Sequence, residues 1–431
     1  WEGFAAGADE GAAAEAGETR GGWEAFEPTD DACRALAERL RRAVLAGRPI
    51  RVRNHADGDG MCAAIPLQLA LERFVRDVHE DPDAARHLFK RLPSKAPYYE
   101  MEDVTRDLTY ALEGRSRHGR KLPLLLMLDN GSTEEDVPAY QNLAHYDIPI
   151  AVVDHHHPDP EAVAPLLDAH VNPYLHGEDY RITTGMMCVE LARLVDPSIT
   201  GELRHVPAVA GLSDRSRAEA MGAYEELASD AGYDREDLLD VGEALDYAAH
   251  WLRYAEGKTL VNDALNVGCD DDARHEELVT FLAERSERDV ERQLEAIDEH
   301  VEHERLASGA HLYRIDVDEY AHRFTYPAPG KTTGELHDAK VESTGDPVIT
   351  IGYGPDFAVL RSDGVRLDIP TMVTELDEEL PEAGVSGGGH LVVGSIKFVK
   401  GRREAVIDAL IGKMANAEID EALSAAAVPE K

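Results

Sequence analysis

Two apolar runs, each stopping at a carboxylate, constrain the fold of this chain more than any other feature. Residues 122–128 end at Asp129, and residues 148–153 end at Asp154-His155-His156-His157-Pro158. A strand without polar alternation is buried on both faces, as in a parallel sheet between two helical layers. A carboxylate ending such a strand is costly unless it is paired or ligates a cation. Open parallel sheets also bind their ligands outside the carboxyl ends of the strands.

The order of elements agrees. A helix is expected over 31–45, a strand over 49–54, a helix over 61–78 opening at Gly60, and a helix over 186–194 capped by Thr183-Thr184-Gly185. Such alternation predicts an α/β fold with a parallel, doubly wound sheet. Residues 80–121 read as an insertion. The composition of 219–307 is helical, with a long charged segment over 272–306, and strands return over 311–317, 347–353, 357–361 and 391–398. The expected division is an acidic flexible leader (1–25), a catalytic α/β domain (26–216), a helical connector (217–309), a smaller C-terminal α/β domain (310–415) and a tail (416–431) that is Ala-rich and of helical composition after Ile419.

Charge bears on partners. There are 84 Asp and Glu against 44 Lys and Arg, a formal net charge of −40, and only 10 of the basic residues are Lys. This resembles the surface of a halophilic protein; at molar salt the Debye length is roughly 3 Å and such self-repulsion is screened. Global acidity of this kind does not exclude a polyanionic substrate held through cations and a few local Arg. Four widely spaced cysteines, Cys33, Cys62, Cys188 and Cys269, form no C-x-x-C pair. They point to a reducing cytoplasm and away from a structural zinc site. No apolar run is long enough to span a membrane, and no signal peptide is visible.

Acidic ends recur. The first is His55-Ala56-Asp57-Gly58-Asp59-Gly60, whose alternate residues face one way if the strand persists, or wrap one ion in a tight turn. The others are Asp129-Asn130-Gly131, Asp154-His155-His156 and Gly211-Leu212-Ser213-Asp214. Singly, each has a plain alternative: a glycine turn, a helix cap, a surface His cluster, a helix end. Together they offer what two divalent ions roughly 3.5–4 Å apart require, a shared carboxylate with hard ligands from several strands. Imidazole beside carboxylate favours Mn²⁺ over Mg²⁺.

In this order the four motifs resemble those of the DHH phosphoesterase superfamily. Its members include RecJ single-strand exonucleases, nanoRNases and pAp phosphatases, cyclic-dinucleotide phosphodiesterases and family II pyrophosphatases. Phe357-Ala358-Val359-Leu360-Arg361-Ser362 and Ser386-Gly387-Gly388-Gly389-His390 resemble the DHH-associated substrate-binding domain with its GGGH loop. The resemblance implies that His55, Asp57 and Asp129 hold one ion, and Asp59, Asp129, His155 and Asp214 the other. It further implies that Asp154 orients His155, that His156 faces the scissile phosphate, and that Arg361, Gly387, Gly388, Gly389 and His390 grip substrate. One departure is the single residue between His55 and Asp57, where many relatives have three: either the archaeal RecJ-like spacing applies, or His55 is displaced and the first site is weaker.

The resemblance implies a metal-dependent phosphodiesterase with two divalent ions, Mn²⁺ first and Mg²⁺ as the alternative. The leading expectation is a RecJ-like exonuclease on single-stranded DNA or RNA, with replication or repair proteins as partners. Alternatives are a hydrolase of short oligonucleotides or pAp, a cyclic-dinucleotide phosphodiesterase, and a replisome-associated binding protein. Other features read blandly. Pro329-Gly330-Lys331-Thr332-Thr333 lacks the first glycine of a P-loop and is taken as a loop. His118, His300 and His303 are taken as isolated, and His157 as a surface residue. Lys397, Lys400, Arg402 and Arg403 either hold a nucleic-acid backbone or open a helix.

Overall fold

The structure, a computed structural model, describes residues 27–424 apart from 95, 97, 254 and 390. The expected leader over 1–25, His390 and the end of the expected tail lie outside the described residues. Two compact units divide the chain, Trp1–Ala283 and Glu284–Lys431.

In the first unit, β1 (Ile50–His55), β2 (Phe89–Ser94), β3 (Leu124–Leu128), β4 (Ile150–Val153) and β5 (Ala169–Val171) form one sheet in the order β2-β1-β3-β4-β5. All neighbours run parallel. The chain builds outward from β1 to β2, then returns to lay down β3, β4 and β5 on the other side. That reversal leaves a crevice at the carboxyl ends of β1 and β3. Helices α1 (Glu27–Leu45), α2 (Gly58–Val78), α3 (Met101–His118), α4 (Val137–Ala144) and α5 (Thr184–Val195) flank the sheet. Leu125 and Met127 pack with Val104 and Leu108 of α3 and with Tyr140 and Leu143 of α4. The intervening Leu124, Leu126 and Leu128 are buried too. Both faces of β3 are therefore covered, each Leu contributing about 2 kcal/mol of burial.

Residues 80–121 are not an appendage, because they supply the edge strand β2 and helix α3. Arg53 of β1, fully buried, meets Asp107 of α3 at 2.7 Å and Asp103 at 3.1 Å, which ties this segment to the sheet. The sequence Phe-Lys-Arg-Leu-Pro-Ser hides the strand, since its charges and Pro93 suit only an edge. Beyond α5, helices α6 (Val206–Ser213), α7 (Met221–Asp230), α8 (Arg235–Leu252) and α9 (Lys258–Leu265) lie wholly within the first unit. Helix α10 (Asp272–Ile297) straddles the division. No helix among the described residues is long and apolar enough to cross a membrane.

The second unit is a mixed sheet in the order β11-β12-β9-β8-β7-β6. Its strands are β6 (Glu302–Arg305), β7 (His311–Asp316), β8 (Val348–Tyr353), β9 (Phe357–Asp363), β11 (Ser386–Gly389) and β12 (Val393–Lys397), and only β7 and β8 pair in parallel. A two-residue β10 (Val365–Arg366) pairs with β13 (Glu418–Ile419), and a short 3-10 helix over Glu421–Leu423 follows it. Helices α11 (Pro329–Thr344), α12 (Ile369–Glu379) and α13 (Arg403–Met414) complete the unit.

Several local readings change here. The segment resembling a P-loop is the first turn of α11, opened by Pro329 at a position where a missing N–H costs nothing. The glycines 387–389 are a paired strand, not a free loop. Gly389 sits at φ 153°, where a Cβ would fall 2.3 Å from the Val393 carbonyl oxygen, so only glycine closes this hairpin. His300 stacks on Tyr320 and His303 bonds His311 at 2.9 Å, so neither is isolated. Among the late basic residues, Lys400, Arg402 and Arg403 pair with Asp356, Glu382 and Asp316 as α13 begins.

Candidate metal centre

The site forms where four chain segments end. β1 terminates at His55, and the chain turns directly into α2 with Asp57 as its cap, accepting from the Gly60 N–H at 2.9 Å. His55, Asp57 and Asp59 are thus arranged by a turn and a first helical turn, not by a persisting strand. A second tie is the 2.7 Å bond from the Gly58 N–H to Asp246 of α8. Asp59 points inward, only 1% exposed, and accepts from the Thr184 and Gly185 N–H groups at 2.9 Å each. A buried carboxylate at the start of α5 is what that helix's positive end favours. Gly185 permits the approach, since a Cβ there would lie 2.8 Å from Asp59 Oδ1.

Asp129 ends β3 in a left-handed conformation at φ 60°, a state that Asp tolerates better than most residues. Its carboxylate accepts from the Thr184 hydroxyl at 3.1 Å. Oδ2 lies 3.4 Å from His55 Nδ1, and Oδ1 lies 3.4 Å from His155 Nε2. His155 Nε2 also meets Asp214 at 3.1 Å, while His55 Nδ1 meets Asp57 at 2.6 Å. Asp214 caps the C-terminus of α6, where the helix dipole disfavours a carboxylate. Its proximity to His155 offsets that cost.

Three donor groups emerge, each with its ligand atoms within 4.8 Å of one another: His55, Asp57 and Asp129; Asp59, His155 and Asp214; and Asp129, His155 and His156. Asp129 and His155 are each shared by two groups. With Asp154 bonded to His156, all eight residues expected in the first domain are brought together. Arg361 and the glycines 387–389 belong to the second unit, within one sheet. There Arg361 lies opposite Val393, one position from Gly394, the partner of Gly389, and its guanidinium abuts Gly334 of α11.

One assignment differs. Asp154 does not orient His155: the Nδ1 of His155 faces the Tyr180 carbonyl at 2.7 Å, and Asp154 Oδ1 instead meets His156 Nδ1 at 2.8 Å. Tyr180, Thr184, Asn130, Ser132 and Asn172 were not singled out from the sequence as site residues. Asn130 is 1% exposed, and neither amide atom has a partner among the described residues. Its only signal was its place directly after Asp129. His157 is exposed and edges Tyr174, as a surface residue would.

The electrostatics fit divalent cations. Burial, then repulsion from Asp129 and Asp214, pushes the Asp59 carboxyl well above its ordinary range. Burial and Asp57 likewise raise Asp129. Burial opposes charge on His55 and His155, yet the surrounding carboxylates outweigh it and raise both. Carboxylates crowded this way repel one another unless protons or cations intervene. The donor groups, four carboxylates and three imidazoles with Asp129 and His155 as shared members, suit a pair of such ions.

Comparison with known proteins agrees. The N-terminal domain of the DHH family matches residues 49–207. An uncharacterised protein of Methanocaldococcus jannaschii is 42% identical over 400 residues, covering 87% of this chain but 53% of the relative, so the chain spans about half that relative's length. A solved structure described as the DHH domain of a member of a family of ribosomal proteins is 39% identical, superposes with a TM-score of 0.88, and covers 92% of this chain and 93% of its own. RecJ of Thermus thermophilus in complex with Mn²⁺ shares the fold at a TM-score of 0.60 and 15% identity, covering 90% of this chain and 55% of that one. With the motifs, the reversed parallel sheet and a 39% identical relative aligned over nearly its whole length, this chain belongs to the DHH family.

Proposed function

We propose that the protein is a metal-dependent phosphodiesterase that degrades single-stranded nucleic acid from an end, in the manner of RecJ. The observation that carries this reading is the place of Asp129 at the switch point of the sheet, with Oδ2 3.4 Å from His55 and Oδ1 3.4 Å from His155. His55, Asp57 and Asp129 would hold one cation, and Asp59, Asp129, His155 and Asp214 the other, with Mn²⁺ favoured by the imidazoles. Bound there, such ions lower the pKa of water and offset negative charge on phosphate oxygens.

The chain's own groups do the rest. Asp154 accepts a hydrogen bond from Nδ1 of His156, which leaves Nε2 as the nitrogen that can donate to a phosphate or a departing oxygen. Burial works against charge on His156, but Asp154 outweighs it and favours the protonated ring. Arg361, Gly387, Gly388, Gly389 and His390 are proposed to bind phosphates of the substrate, a guanidinium and glycine N–H groups being suited to that task. DNA and RNA both stand as substrates, since one relative at 39% identity is named for a ribosomal-protein family. Four cysteines, none of them in a disulfide, support a reducing cytoplasm.

The test is hydrolysis in Mn²⁺ of end-labelled single-stranded DNA and RNA beside dinucleotides, pAp, cyclic di-AMP and pyrophosphate. Processive shortening of the long strands, lost in Asp129→Ala, is expected. Cleavage of dinucleotides alone would favour the short-oligonucleotide alternative, and inactivity on every substrate would overturn the enzyme reading.

A further inference from the structure

The turn that carries His156 is held from the side by groups that no ligand set includes. Asn172 follows β5 and is fully buried. Its Oδ1 accepts from the Tyr174 N–H at 3.0 Å, while its Nδ2 donates to the His156 carbonyl at 2.9 Å. The same amide reaches Ser132 Oγ at 3.4 Å, and that hydroxyl bonds His170 Nε2 at 2.9 Å. Ser132 is also fully buried, on the loop after β3. A further bond, from the Asp154 N–H to the Val171 carbonyl at 3.0 Å, pins the other end of the turn to β5. Within the turn, Asp154 Oδ1 accepts from both the backbone N–H and the Nδ1 of His156, at 3.2 and 2.8 Å.

We propose that Asn172 is a positioning residue for His156: its side-chain amide fixes the His156 carbonyl, and with it the angle at which the imidazole is presented to substrate. This rests on the proposed role of His156 as a proton donor. The physical reason is stiffness. His156 is half-buried at the edge of the crevice, and its ring is anchored by one short bond to Asp154. That bond sets the rotation of the ring, and the His156 N–H and Asp154 N–H bonds hold the turn on its β5 side, with the His156 carbonyl left to Asn172. Asn172 fixes that carbonyl firmly, because it is itself clamped at both ends of its amide. Ser132 closes the cage beside it. Groups one step removed from the chemistry that orient it in this way are typically worth about 10- to 100-fold in rate.

The discriminating variant is Asn172→Ser. Serine still caps the turn at Tyr174, but its shorter side chain cannot reach the His156 carbonyl. Turnover on end-labelled single-stranded DNA in Mn²⁺ should fall about 10- to 100-fold, with KM and Mn²⁺ affinity by calorimetry within about 3-fold of wild type. In a His156→Ala background the same substitution should change turnover less than about 2-fold, because the group it positions is gone. Long-range ¹H–¹⁵N NMR of the imidazoles gives a readout independent of turnover. The hydrogen-bonded Nδ1 proton of His156 should be sharp in wild type and broadened in Asn172→Ser. Additive losses in the two backgrounds, or an unchanged His156 signal, would overturn the inference. Inactivity of the wild type alone would instead count against the phosphodiesterase reading and leave the NMR arm to judge this one.

Discussion

Asp129 concentrates the account at the scale of single residues. It ends a fully buried strand, takes a left-handed backbone conformation, and presents one carboxylate oxygen to His55 and the other to His155. The division of labour around it is testable at Asp154. Because that carboxylate serves His156 and not His155, Asp154→Asn should lower turnover about 10- to 100-fold while Mn²⁺ affinity by calorimetry stays within about 3-fold. Loss of Mn²⁺ binding would instead return Asp154 to His155. The ligand-type residues were legible in the sequence because each follows a strand or turn signal by one or two positions. The partner of Asp154 was not. It depends on where the Tyr180 carbonyl lies, 25 residues after His155, and nothing local encodes that distance.

At the scale of elements, buried parallel strands announced themselves and edge strands did not. β3 and β4 are apolar throughout, whereas β2 carries Lys90, Arg91 and Pro93, and β5 has three residues. Propensity failed there because pairing with β1 and β4 overrode it. Helix α6 shows how elements hold the site: Asp214 caps its end, and His205 precedes its start. His205 is buried, stacks on Tyr233 and bonds the Leu265 carbonyl at 2.6 Å. Burial pushes its pKa down to about 4. The folded state therefore binds fewer protons than the unfolded chain between that value and the ordinary 6.5. Stability from this group is complete above about 6.5 and lost as the pH falls toward 4, about 3 kcal/mol in all. Denaturant unfolding across this range should show that slope, and His205→Gln should flatten it. An equal slope in the variant would remove His205 as the cause.

For the whole molecule, the charge of −40 sets the conditions under which the fold is held. Raising KCl from about 0.1 M to about 2 M shortens the Debye length from about 10 Å to a few Å. The thermal midpoint should then rise by about 5 °C or more, and a midpoint that falls with salt would contradict the screening argument. The division into two units was legible from the return of strands after a helical stretch, but its boundary was not. A single uninterrupted helix, α10, carries the chain across it with no change in composition to mark the place. The central claim concerns the centre itself, and anomalous diffraction at the manganese edge from Mn²⁺-soaked crystals tests it most directly. Two peaks flanking the Asp129 carboxylate are predicted, one beside His55 and Asp57 and one beside Asp59, His155 and Asp214, both lost in Asp129→Ala. No peak at Asp129, or two peaks that survive its removal, would contradict it.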